Sequence, residues 1–166
     1  AAAPDQLHLP ESAVLSQADY AARISGDQLL VTVTAGVTNF TQGWARLVLP
    51  AGGAGVESAL LDGQPAKLAR DPAQPTALVL YIAEPGTHAL ALELSTPLTA
   101  VGGDRAAAFE LHGAPTGVLT LTLPTVTVAG ATSVLLNLTT VGADQLGYVS
   151  AWPCGSSQPD TSIVNF

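Results

Sequence analysis

The single cysteine of this chain lies in the stretch GYVSAWPCGSSQ, Gly147 to Gln158, between a proline and a glycine. A thiol nucleophile on a sharp elbow needs glycines around it, a helix after it and a histidine close enough to take its proton. Pro153 precedes Cys154, the SSQPDTS that follows has no helical pattern, and His8, His88 and His112 all lie before Pro124. The residue types therefore argue for a structural thiol, buried or half-buried at the close of a strand. One cysteine cannot form an internal disulfide.

Other chemistry finds little purchase. The three histidines are isolated, without the close spacing that zinc ligands show, and His88 in EPGTHAL reads as a ring packed over a corner and bonded to a backbone carbonyl. Calcium needs clustered acids, whereas Asp62, Asp71, Asp104 and Asp144 stand singly and read as turn residues that bond nearby backbone. Glycoside hydrolysis needs two carboxyls facing across a cleft. Glu57, Glu84, Glu93 and Glu110 are scattered in or beside strands. The glycines of AGGAG, Ala51 to Gly55, lack the lysine and helix of a phosphate loop. No catalytic residue, cofactor or metal is assigned. Two triplets, beginning at Asn39 and Asn137, match the N-glycosylation pattern, which Thr-rich sequence also produces by chance.

Binding is better served. Trp44, Tyr81 and Trp152 are the candidate ligand or interface aromatics, because an apolar ring can stack on a sugar or fill a protein contact. Alternation sets Trp44 and Tyr81 opposite leucine-rich faces, which leaves them either exposed or facing a second sheet or domain junction.

Composition narrows the partners. Only 11% of the residues are charged, well under the roughly 25% usual for soluble domains, so Thr, Ser, Gln, Ala and Gly must make up much of the surface. Thirteen acids against five bases give a net charge of −8, which repels nucleic acid and anionic membrane. No apolar run approaches the roughly 20 residues of a spanning helix. The absence of methionine and the opening AAAPDQ suggest a mature product that has lost any signal peptide.

The elements that would position these residues are strands. In LLVTVTAGVT, Val31, Val33, Ala35 and Val37 alternate with Thr32, Thr34, Gly36 and Thr38, and WARLVLP, THALALEL and VLTLTLP keep the same period of two. Such alternation buries one face of a strand. Pro and Gly punctuate the runs at short intervals, and LLDGQPAKL is a hairpin whose Asp-Gly suits a type I′ turn. Glu11 to Ser25 reads as a first strand turning at Gly26-Asp27, with a short N-terminal helix as the alternative. The fold expected is all-β, an antiparallel β-sandwich of immunoglobulin-like or jelly-roll-like kind. Residues before Pro124 carry 16 of the 18 charges. This places a sandwich domain at 1–124 and a three- to four-stranded, incomplete second β module at 125–166.

The segment VLLNLTTVGADQLGYVSAWPCGSSQPDTSIVNF resembles the repeat module of secreted and wall-associated actinobacterial proteins. The matching residues are Leu136 to Thr139, Gly147 to Val149, Trp152 to Gly155, and Asn165-Phe166. That module often carries a second cysteine further on, which implies a partner for Cys154 outside this chain. Residues 28–124 loosely resemble β-sandwich domains of bacterial envelope proteins. Together these resemblances imply a secreted or cell-surface, non-catalytic module. It would meet other copies or neighbouring surface domains, or alternatively bind extracellular polysaccharide.

Overall fold

A computed structural model describes residues 11–101, 104–110, 112–122, 148–149 and 164–165. Thirteen strands follow one another without a helix among the described residues. They are β1 (Ala13–Ser25), β2 (Gln28–Asn39), β3 (Ala45–Pro50), β4 (Gly55–Leu61), β5 (Gln64–Pro65), β6 (Lys67–Arg70), β7 (Ala77–Ile82), β8 (Gly86–Pro97), β9 (Thr99–Val101), β10 (Asp104–Ala106), β11 (Leu119–Thr122), β12 (Tyr148–Val149) and β13 (Val164–Asn165). The chain divides into two compact units, Ala1–Val126 and Thr127–Phe166.

The first unit is an open, all-β sandwich of unequal layers. Its larger sheet runs β11-β1-β2-β8-β4-β5 and its smaller one β3-β7-β6. All pairings are antiparallel except β11, which lies parallel to β1 with Tyr20 opposite Leu119. The glycine at φ +60° in Gly26-Asp27 closes β1 onto β2. Asp62 and Gly63, both at positive φ, join β4 to β5 in the two-residue hairpin geometry that Asp-Gly favours.

The segment with a helical alternative is thus a strand of 13 residues, and a bulge explains its ambiguity. Ser16 is the extra residue: Leu15 pairs with Val37, and Gln17 already pairs with Gly36. Ala13 and Leu15 face inward before it, whereas Ala18 and Ala22 are buried after it, so the apolar phase slips by one. Ser16 Oγ donates to the Gly36 carbonyl at 3.1 Å. A side chain at Gly36 would begin only 2.7 Å from that hydroxyl.

The core lies between the layers. Val31, Val33, Ala35 and Val37 from β2 and Leu90, Leu92 and Leu94 from β8 meet Leu47, Leu49, Leu78, Leu80 and Ile82 from the smaller sheet. Leu80, with no solvent exposure, contributes about 1.5–3 kcal/mol by its burial alone. Opposite this core, Thr32 and Thr34 of β2 and Thr87 and Glu93 of β8 face solvent.

In the second unit, Tyr148 pairs with Asn165 and Val149 with Val164, so the two ends of the Gly147–Phe166 motif form an antiparallel ladder. Trp152, Cys154 and Asn137 lie outside the described residues.

Candidate functional site: an aromatic patch over a polar end

The outer face of the smaller sheet carries the exposed aromatics. Trp44 precedes β3 and points away from the core with Arg46, because Ala45 and Leu47 point into it. In the middle strand, Tyr81 stands between Arg46 of β3 and Lys67 of β6. Trp44 is 59% exposed, Phe40 49% and Tyr81 38%. Neither Trp44 nor Tyr81 is buried between the two sheets. Lys67 reaches across, with its Nζ 4.4 Å from the centre of the Trp44 ring, a cation–π contact worth about 0.5–1 kcal/mol at an exposed site.

Further along this face the surface closes. Val79 faces outward by alternation yet has no exposure. Arg46, in the row of Tyr81, bonds Asp71 at 2.6 Å, and Asp71 N–H bonds the Ala77 carbonyl. The ion pair therefore crosses the Val79 row diagonally. Asp71 Oδ1 also accepts from the Ala73 N–H at 2.8 Å, the local turn bond expected of it. The aromatic patch is the open end of the face.

A buried amide holds the loop that presents it. Asn39 ends β2 on the core side and is 2% exposed. Its Nδ2 donates to the carbonyls of Glu84 at 2.8 Å, Gly43 at 3.1 Å and Ile82 at 3.5 Å. Its Oδ1 accepts from the Thr41 N–H and hydroxyl, both at 2.8 Å. Gly43 immediately precedes Trp44, so the patch is anchored to the core by one side chain. The amide nitrogen that a glycan would modify is thus buried and committed.

His88 closes the same end of the sandwich. It faces inward with Leu90 and sets Nε2 2.9 Å from the Glu84 carbonyl, the backbone bond expected of it. Its Nδ1 lies 2.7 Å from Asp62 Oδ2, and Asp62 Oδ1 accepts from the Ala89 N–H at 2.8 Å. Asp62 is therefore more than a turn residue, since its carboxylate spans to β8. The hydrogen bond to Asp62 raises the His88 pKa above its ordinary value, and the same bond lowers that of Asp62.

The opposite end is apolar. A cavity of about 30 Å³ lies among Leu49, Leu78, Leu94 and Phe109, with Tyr20 and His112 at its rim. It has room for little more than a water molecule. Tyr20 Oη donates to the His112 carbonyl at 2.8 Å, and burial pushes the Tyr20 pKa up to about 12. Burial likewise lowers the pKa of His112. Among the described residues, no three His, Cys, Asp or Glu side chains gather into a metal-binding group. His8 lies outside the described residues.

The sequence reading marks Asn39 only as the start of a glycosylation triplet and gives Lys67 and Phe40 no role. The signal for Asn39 was present: in Asn-Phe-Thr between two strands, an Asn side chain readily accepts from the N–H two residues on. Lys67 needed the strand order, because β7 separates it from Trp44.

No family model matches the chain, and no curated protein does. Solved structures show weak similarity to part of it. An M1 zinc metallopeptidase from Deinococcus radiodurans is 17% identical at TM-score 0.42, over 55% of this chain and 22% of that one. A two-domain M1 zinc metallopeptidase bound to L-arginine is 16% identical at TM-score 0.48, over 69% and 33%. Leukotriene A4 hydrolase from Saccharomyces cerevisiae is 18% identical at TM-score 0.42, over 51% and 15%. This chain therefore spans a third or less of the length of these proteins.

Proposed function

We propose that the chain is a non-catalytic interaction module of a secreted or cell-surface bacterial protein, and that Phe40, Trp44 and Tyr81 form its contact with another copy. The observation that carries this reading is the exposed aromatic patch held in place by the buried Asn39. A rigid aromatic contact loses little conformational freedom on binding, and Trp and Tyr are the residues on which interface energy concentrates. Charge supports a second copy as the occupant. Lys67 lies beside the rings, over Trp44 and opposite Tyr81, whereas thirteen acids against five bases make such a copy strongly negative.

The polysaccharide alternative draws on the same rings. It is less well served, because the Lys67 ammonium lies over the Trp44 ring where a pyranose would stack.

Sedimentation velocity across a wide concentration range tests the proposal. The chain should show reversible association, and Trp44→Ala with Tyr81→Ala should abolish it while leaving the fold intact. A wild-type chain that stays monomeric throughout contradicts the proposal. If that monomer is retained on cell-wall polysaccharide through Trp44, the module binds carbohydrate instead.

A further inference from the structure

We propose that protonation of His88 sets the order of the Phe40–Trp44 loop, so that the aromatic patch is assembled at acidic to neutral pH and loosened above it. The inference rests on reading that patch as the contact surface, and it adds a control to it.

The geometry suits a doubly protonated ring. The Glu84 carbonyl only accepts, so the Nε2 at 2.9 Å from it must carry a hydrogen. The ionised Asp62 carboxylate also only accepts, so the Nδ1 at 2.7 Å from it must carry one as well. A ring donating from both nitrogens is an imidazolium. Once neutral, it keeps a single N–H, and one of the two bonds becomes a repulsion between lone pairs.

The consequence travels through a shared acceptor. The Glu84 carbonyl takes bonds from both His88 Nε2 and Asn39 Nδ2, the latter at 2.8 Å. The same Asn39 amide holds the Gly43 carbonyl beside Trp44. Asp62, His88, the Glu84 carbonyl, Asn39 and Gly43 thus form one continuous path from the β4–β5 turn to the aromatic loop. The charged groups that face His88 are Asp62 from that turn and Glu84 from the loop before β8. On β2 its partner is Val37. On β8 the nearest ionisable side chain, Glu93, projects to the opposite, exposed face.

The sign follows from linkage. His88 has a raised pKa in the fold, so its contribution is complete below its ordinary 6.5 and is lost as pH rises through the folded value. Asp62 has a lowered one, so its contribution is present above its ordinary 3.8 and is lost as pH falls through the folded value. The path is intact between those two limits.

The test is an NMR pH titration of the full chain at a concentration where it is monomeric, following the His88 ring nitrogens and the Trp44 indole N–H, with Trp152→Phe to assign the indole. Both His88 nitrogens should be protonated below a midpoint that lies above 6.5, and the Trp44 signal should shift with that same midpoint. Asp62→Asn should move both midpoints down together, and His88→Gln should leave the Trp44 signal independent of pH. A Trp44 signal that stays still while His88 titrates, or midpoints that separate in Asp62→Asn, would overturn the proposal. Because no partner is present, the result is independent of whether the patch binds another copy.

Discussion

The two ends of the sandwich are closed by opposite means. At one end Asn39, His88, the Glu84 carbonyl and Asp62 satisfy one another in a hydrogen-bonded chain. At the other, leucines and Phe109 meet around a gap of about 30 Å³, with the Tyr20 hydroxyl bonded to the His112 carbonyl and the Ser95 hydroxyl to Glu57. The apolar end gains stability from area and tolerates imperfect fit. The polar end specifies one arrangement, because every buried donor and acceptor in it must find its partner. The exposed aromatics are mounted on the polar end, where position is best defined.

Substitutions at the two ends should therefore differ in kind. The largest effect is expected for Leu78→Ala at the apolar end. Leu78 is 3% exposed and already borders the gap, so chemical denaturation should show a loss of about 2–5 kcal/mol with the Trp44 environment unchanged. Asn39→Ala comes next, at about 1–3 kcal/mol, since it leaves the Glu84 and Gly43 carbonyls short of a donor. Unlike the first, it should also change the near-ultraviolet circular dichroism of Trp44. If the two variants give the same spectrum, the distinction between the ends fails.

Tyr20→Phe is the smallest, at about 0.5–1.5 kcal/mol, and it sharpens the contrast through pH. With its pKa raised from 10 to about 12, Tyr20 contributes stability below pH 10 that is lost as pH rises toward 12. Thermal melts across that range should show the wild type losing the advantage it holds over the phenylalanine variant.

How much of this was legible depended on how local the cause was. The alternation in β2 and β8 and the Asp62-Gly63 turn are written in adjacent residues, and the fold class followed from them. The bulge at Ser16 left β1 with a helical alternative, because one inserted residue breaks the period of two. The place of Trp44 opposite the leucine-rich face was readable, whereas its pairing with Lys67 was not, since it depends on β7 lying between β3 and β6. The Asp62–His88 bond was likewise out of reach. It joins a turn to a strand 26 positions later, and only the β4–β8 register brings them together.

The central claim, that Phe40, Trp44 and Tyr81 are the contact surface, is tested most directly by hydroxyl-radical footprinting of the intact chain at low and high concentration. Oxidation of these three rings should fall as the chain associates, while half-buried Tyr20 stays at its low rate. Association that leaves all three rings as reactive as in the dilute monomer would place the contact elsewhere and contradict the account.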